Sequence, residues 1–301
     1  MKANFSDTSA MPSYSVMTVN MNGSGKPSER RDLSSKIIRA NQPSLVFCQE
    51  LPNCFERDVV RKCKGTCDYD FLFTDKETAV MWSKNDFCGE PVDAAVKRRS
   101  FDTVVASQNF NSDVSEIPAR TSVVKLTSKG DEACSVLAVS WHGPHSATRQ
   151  KKQDVLKGLS LFLNEICRKT NVSSSIIGGD FNLNTLDENG LGESNVYFPS
   201  YKLSSRGESA KERKGPGRRY IAYKDNFATI TTSPSVVRPG DMKLSKVKPL
   251  SEGKDILDHD PIIGVLQLEK IPSTGKFLLV SADLYLAGTS EDLSTETNCY
   301  F

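Results

Sequence analysis

The chain is 301 residues long, with 38% hydrophobic and 25% charged residues, enough for one large core or two small ones. Its 39 basic and 37 acidic residues leave a formal charge of +2, which excludes a global field that would draw in a polyanion, so any such preference must be local. The opening stretch MKANFSDTSAMPSYS has no apolar secretory segment, and no later stretch nears the roughly 18 uninterrupted apolar residues of a membrane span, so the expectation is a cytoplasmic or nuclear protein with no membrane span.

Residues 1–13 read as a flexible N-terminus and 14–270 as one domain. In chain order, strand-length apolar runs bounded by turns begin with YSVMTVNM, followed by a helical pattern in SERRDLSSKIIRAN and a second run in PSLVFCQE. CFERDVVRKC is again helical, and YDFLF, TAVMWS, TSVVKLT and CSVLAVSWH read as strands. The longest helical pattern is ATRQKKQDVLKGLSLFLNEICRK, in which Val155, Leu156, Leu159, Leu161, Phe162 and Ile166 form an apolar face. SSIIGGDF, NFATITT and IIGVLQLE complete the set of strands. Many short strands with a few inserted helices predict an α/β sandwich, two sheets packed together with helices outside. Between the last strands, SSRGESAKERKGPGRR (204–219) is polar, basic and glycine-containing and predicts a long exposed loop. Residues 271–301 read as a partly disordered C-terminal extension, in which KFLLVSADLYLAG could add a strand.

Several of these runs carry, at one end, residues that a core disfavours. VMTVNMNG ends in Asn20 and Asn22, LVFCQE in Glu50, LAVSWHGPH in His142, and SSIIGGDFNLN in Asp180 and Asn182; Asp225 precedes NFATI, while Asp258 and His259 precede the last strand. A carboxylate or imidazole is costly to bury unless it is paired or metal-bound. Taken singly, each has a plain structural reading: an Asx turn for Asp180 and Asn182, a core histidine for His142, a solvated strand terminus for Glu50. The chain has only three histidines, however, and two stand beside these clusters, which argues against independent accidents.

In order and approximate spacing, VNMNG, VFCQE, SWHGPH, GGDFNLN and LDHDP resemble the motifs of the endonuclease/exonuclease/phosphatase superfamily, the deoxyribonuclease I-like fold, from about Ser15 to Glu269. ARTSVVKL, which carries Arg120, followed by LAVSWHGPH and GGDFN, is most similar to the deoxyribonuclease branch. The resemblance implies a four-layer two-sheet sandwich and a magnesium-dependent phosphoesterase, with manganese as the alternative ion. It implies Glu50 as the principal metal ligand, with Asn20 and Asn22 beside it and Asp258 close by. Asp180 and Asn182 are implied to position the attacking water and hold the phosphate. His259, oriented by Asp225, and His142, supported by Glu77, are implied as the pair of imidazoles. The chain departs from the family pattern at Val19, Leu257 and Asn226–Phe227, and lacks the Trp-Cys-Asp-Arg signature of inositol polyphosphate phosphatases; none of these changes removes a catalytic group.

The chemistry asks for these residue types independently. Hydrolysing a phosphodiester brings water to phosphorus in line while negative charge builds on the surrounding oxygens. Magnesium takes one or two carboxylates plus water and substrate phosphate, and an imidazole moves a proton when its other nitrogen is held. Three readings remain: a nuclease acting on DNA or RNA, which leads; a phosphoesterase acting on a small or lipid phosphate ester; and a non-catalytic binding module. Arg120 is one candidate substrate contact, and the 204–219 stretch supplies Arg213, Lys214, Arg218 and Arg219 within a local basic excess. No obligate protein partner is indicated, and a monomer is expected. Eight scattered cysteines read as free thiols of a reducing compartment, with zinc at Cys63 and Cys67 disfavoured for want of a second pair.

Overall fold

A computed structural model of the chain describes residues 13–21, 27–65, 67–74, 77–129, 134–182 and 261–267, together with the backbone of 196–197, 213–215, 218–220 and 225–231. All belong to one compact unit, Met1–Ile271. The first half runs β1 (Ser13–Asn20), α1 (Pro27–Asn41), β2 (Leu45–Gln49), a π-helical turn (Glu56–Val60) leading into the short α2 (Arg61–Cys63), then β3 (Tyr69–Thr74), β4 (Thr78–Ser83) and β5 (Phe87–Pro91). It continues with α3 (Ala94–Ser107), β6 (Thr121–Ser128), β7 (Ser135–His142), α4 (Arg149–Thr170), β8 (Ser174–Asp180), β9 (Val196–Tyr197), β10 (Arg213–Gly215), β11 (Arg218–Tyr220), β12 (Asp225–Thr231) and β13 (Ile262–Gln267).

Apart from the separate β10-β11 pair, the strands form two mixed sheets, ordered β13-β1-β2-β4-β3 and β5-β6-β7-β8-β12-β9. Each holds one parallel pair, β1 with β2 and β7 with β8, bridged by α1 and α4 as crossover helices. Three apolar clusters separate four layers. Val16, Leu45, Phe47, Val80, Trp82, Val124, Leu126, Ala138 and Ile176 fill the space between the sheets. Met17, Val19, Val46, Cys48 and Met81, on the opposite face of the first sheet, pack on Ile37, Ile38, Val59 and Val60. Leu137, Val139, Trp141 and Ile177 of the second sheet pack on Val155, Leu159, Phe162, Leu163 and Ile166 of α4. The chain therefore has the predicted α/β sandwich with outer helices.

Three sequence expectations are corrected. On α4 it is Leu163 that is fully buried, while Leu161 is only half-buried, because the helix presents 155, 159, 162, 163 and 166 to the sheet. The stretch 204–219 is not wholly loop: β10 and β11 pair antiparallel, Lys214 opposite Arg219. The strand β5 and the helix α3 have no counterpart among the predicted elements. The expected strand at KFLLVSADLYLAG lies outside the described residues.

Because side chains alternate along a strand, the inner face that carries Val16, Phe47, Val80 and Ala138 turns polar two positions nearer one end of the sandwich, at Thr18, Gln49, Thr78 and Ser140. Thr18 Oγ1 donates to Gln49 Oε1 (3.2 Å), Gln49 Nε2 donates across the sandwich to Ser140 Oγ (3.0 Å), and Ser140 Oγ donates back to the Cys48 carbonyl (2.8 Å). Ser122 Oγ likewise reaches the Thr78 carbonyl on the facing sheet at 2.8 Å. All these groups are buried, so the bonds fix the relative position of the sheets at this end. The paired glycines of SSIIGGD have a steric origin: a Cβ on Gly178 would lie 2.2 Å from the Phe47 ring, and one on Gly179 would lie 2.0 Å from the Trp141 carbonyl oxygen.

Candidate active site

The polar residues gather where this inner face runs out. Asn20 ends β1, His142 ends β7 and Asp180 ends β8, with His142 directly opposite Asp180 in the parallel register. Glu50 follows β2 in the left-handed backbone region (φ 49), a conformation that costs a non-glycine residue about 1–2 kcal/mol and that turns the chain off the strand line. The Glu50 amide donates to the Glu77 carbonyl at 2.9 Å, which ties the β2 exit to the turn before β4.

Two sheets thus contribute to one constellation. The Asn20 amide donates both to Glu50 Oε1 (3.1 Å) and to Asp180 Oδ2 (3.2 Å), bridging two carboxylates. His142 Nδ1 lies 2.7 Å from Glu77 Oε2, and its Nε2 lies 3.5 Å from Glu50 Oε1. A carboxylate accepts only, so Nδ1 carries the proton toward Glu77, and a neutral ring turns the Nε2 lone pair toward Glu50. Two acceptors so placed repel unless a proton or a cation stands between them.

Asn182 also adopts the left-handed conformation (φ 51). Its amide nitrogen donates to Asp180 Oδ1 (2.8 Å), closing an Asx turn, and its Nδ2 donates to the Gly143 carbonyl (2.9 Å). Arg120 braces the same segment: one guanidinium nitrogen donates to the carbonyls of His142 (3.1 Å) and Gly143 (3.4 Å), while Nε pairs with Glu116 at 2.9 Å.

Of the residues singled out from sequence, Asn20, Glu50, Glu77, Arg120, His142, Asp180 and Asn182 lie together at this end. Asp225 is placed by its backbone directly opposite Asp180 on β12. Arg213, Lys214, Arg218 and Arg219 have backbone positions in the β10–β11 hairpin. Asn22, Asp258 and His259 lie outside the described residues. Two neighbours of Asn182 are not among those singled out from sequence: His145, which closes the SWHGPH motif, has Nδ1 3.3 Å from Asn182 Oδ1, and Lys152 Nζ donates to the Asn182 carbonyl at 2.6 Å. The Lys152 bond depends on where the first turn of α4 docks, and nothing local to its sequence encodes that.

No protein-family model and no curated protein matches the sequence. Solved structures do. D. rerio TDP2 complexed with single strand DNA product aligns over 85% of this chain and 99% of its own, with TM-score 0.57 and 17% identity. An endonuclease/exonuclease/phosphatase from Bacteroides vulgatus aligns over 86% of this chain and 100% of its own, with TM-score 0.57 and 15% identity. The human Nocturnin catalytic domain with bound sulfate anion aligns over 86% and 94%, with TM-score 0.51 and 16% identity. The chain has the endonuclease/exonuclease/phosphatase fold.

On this endonuclease/exonuclease/phosphatase scaffold the donor atoms of Glu50, His142 and Asp180 lie within 4.8 Å of one another, the one such group among the described residues. Asp180 is 2% exposed and His142 8%, while the Glu50 side chain keeps about a third of its surface. The Glu50 and Asp180 carboxylates at the mouth of a buried polar face fit a hard divalent cation, which takes oxygen ligands, with the His142 imidazole beside them. The seven described cysteines are all free and none belongs to this group. No described helix is long and apolar enough to cross a membrane.

Proposed function

We propose that the protein is a divalent-metal-dependent phosphodiesterase, a nuclease acting on DNA or RNA as a monomer. The observation that carries the reading is the convergence of Glu50, His142 and Asp180 donor atoms within 4.8 Å, with Asn20 bridging the two carboxylates. Magnesium, or manganese in its place, would be held by Glu50 with Asn20 beside it and with Asn22 and Asp258 nearby, and would supply charge neutralisation at the phosphate. Asp180 and Asn182 position the attacking water and the phosphate. Glu77 fixes the His142 ring through the 2.7 Å contact at Nδ1, so that Nε2 is the atom that exchanges a proton. His259, with Asp225, supplies the second imidazole. Arg120 and the basic residues Arg213, Lys214, Arg218 and Arg219 bind the phosphate backbone. The complex of D. rerio TDP2 with single strand DNA product, on the same fold, supports a nucleic-acid substrate.

The test is a substrate panel of plasmid, single-stranded DNA, RNA and inositol phosphates, each with magnesium and with EDTA. Cleavage of a nucleic acid that EDTA abolishes, and that Glu50→Gln cuts by orders of magnitude without unfolding the protein, is the expected result. Activity indifferent to both EDTA and Glu50→Gln would remove the metal mechanism. Turnover confined to inositol phosphates would move the substrate to the small-ester class.

A further inference from the structure

We infer that the cavity beside the Glu50 end of the first sheet is a subsite for one unpaired nucleobase of the substrate, stacked on Phe73. For its substrate class this rests on the nuclease reading above. The cavity measures about 410 Å³ and its wall includes Leu51, Pro52, Phe55, Phe73, Arg57 and Arg61, toward the lower end of the roughly 300–1,000 Å³ of small-ligand sites. Two connections place it beside the candidate active site. Leu51 directly follows Glu50, and Phe73 directly precedes Thr74, whose carbonyl accepts from the Glu77 amide at 3.0 Å.

The wall is rigid on one side and open on the other. Leu51 and Phe55 are buried, whereas Phe73 is 52% exposed, one of two large hydrophobic residues so exposed among those described. Its ring lies nearly parallel to that of Phe71 (10°, centroids 6.1 Å), and Phe71 meets Phe55 edge-on (72°, 6.0 Å). Phe73 is therefore the outer end of an aromatic row whose inner end is fixed in the core. A nucleobase extends such a row through its π face whatever its identity, because stacking needs no directional hydrogen bond. Arg57 and Arg61 add guanidinium groups in the same wall. The Arg61–Glu56 pair is exposed on both sides and of the kind that contributes little, so Arg61 turns toward a phosphate at little cost, whereas Arg57 is held by the Asp58 carboxylate, whose side chain is only 12% exposed. A base inside a duplex has both faces covered by its neighbours, so the base that enters must be unpaired or frayed from an end.

Binding is read on the full chain carrying Glu50→Gln, which spares the probe, with single-stranded DNA oligonucleotides bearing one 2-aminopurine at successive positions. Emission should be quenched at one position. Phe73→Leu, which keeps apolar bulk and removes the ring face, should weaken binding of the ordinary oligonucleotide by about 5- to 150-fold. It should leave unchanged the binding of an oligonucleotide that is abasic at the quenched position. Phe73→Trp should retain the quench. The inference is overturned by a Phe73→Leu affinity equal to that of its parent, by the absence of a quenched position, or by a blunt duplex binding as tightly as the single strand. Failure of the nuclease reading shows separately, as wild-type protein that cleaves no oligonucleotide while the quench and its dependence on Phe73 persist.

Discussion

Replacing Asn20 by Asp probes whether the two carboxylates it bridges are ionised. The Asn20 side chain is 3% exposed and donates at 3.1 Å to Glu50 and 3.2 Å to Asp180. Asn20→Asp keeps the shape and sets a third carboxylate against the other two; at an effective dielectric of about 20 each repulsion would cost roughly 5 kcal/mol. Proton uptake caps that penalty. The cap is about 1.4 kcal/mol for each pH unit above the ordinary Asp value of about 3.9, hence about 4 kcal/mol at pH 7 and about 1.5 kcal/mol at pH 5. The introduced group has its folded pKa raised, so the destabilisation grows as pH rises above the unfolded value. At about 2–4 °C per kcal/mol, the Tm in EDTA should fall by about 8–16 °C at pH 7 and about 3–6 °C at pH 5. A cation that binds only the folded state returns about 2.7 kcal/mol at a hundred times its Kd, so magnesium should restore the variant more than it stabilises the wild type. Thermal unfolding followed by circular dichroism at the two pH values reads this directly. Asn20→Leu, which removes the donor without adding charge, should show a Tm decrease that changes less between pH 5 and 7 than that of Asn20→Asp. An Asn20→Asp decrease equal at pH 5 and 7, or none at all, refutes the picture of two ionised carboxylates bridged by the amide.

His142→Ala should lower kcat by at least the roughly 10²- to 10⁴-fold typical of a proton-transfer group, and Glu77→Gln by about 10- to 100-fold. The double variant should be no worse than His142→Ala alone, because Glu77 acts through the ring it touches; multiplicative effects in steady-state kinetics would contradict that. Changing Arg213, Lys214, Arg218 and Arg219 to Ser should flatten the dependence of log K on log salt by about 0.9 for each phosphate left unneutralised, equally for all sequences. An unchanged slope in binding titrations would take the hairpin out of the interface. Burial pushes the Cys63 and Cys167 thiols up to about 12, so alkylation of the folded protein at pH 8 should label exposed Cys88 and spare those two. Because their folded pKa is raised, the stability they confer is complete below the ordinary thiol value of about 8.5 and falls as pH rises toward 12, which alkaline denaturation midpoints would register.

The strands of this fold are legible because both faces of each sheet are covered, so that a strand such as Thr78–Ser83 is buried along its whole length and reads as a continuous apolar run. β5 gives no such signal: it is an edge strand carrying Gly89 and Pro91, and Gly89 is where a Cβ would meet the Trp82 ring at 2.4 Å. α3 hides for the opposite reason, since only Ser100 and Val104 of its residues are buried and only Val96 and Phe101 pack partly buried beside them, too sparse a stripe to read; its one start signal is Asp93, which accepts from the amides of Ala95 and Val96. In the site, Asn20, Glu50, His142 and Asp180 stand out as polar ends of apolar runs. Their mutual bonds do not, because Asn20 and Asp180 are 160 residues apart and meet only through the register of two sheets. Phe73 looks like any other strand residue in YDFLF, and its exposure follows from a position near the end of the edge strand β3.

The polar bonds beneath the site also say which changes to the chain matter. Glu50 belongs to one sheet, His142 and Asp180 to the other, and the Gln49–Ser140 bond spans the gap directly below them. The donor spacing is therefore a property of how two surfaces meet, and the order in which the chain visits them is incidental to it. Opening a connection on the far rim and joining the chain elsewhere leaves that meeting intact. A single exchange at Gln49 or Ser140 keeps every connection, yet it removes the bond that holds the two surfaces together beneath the donor atoms.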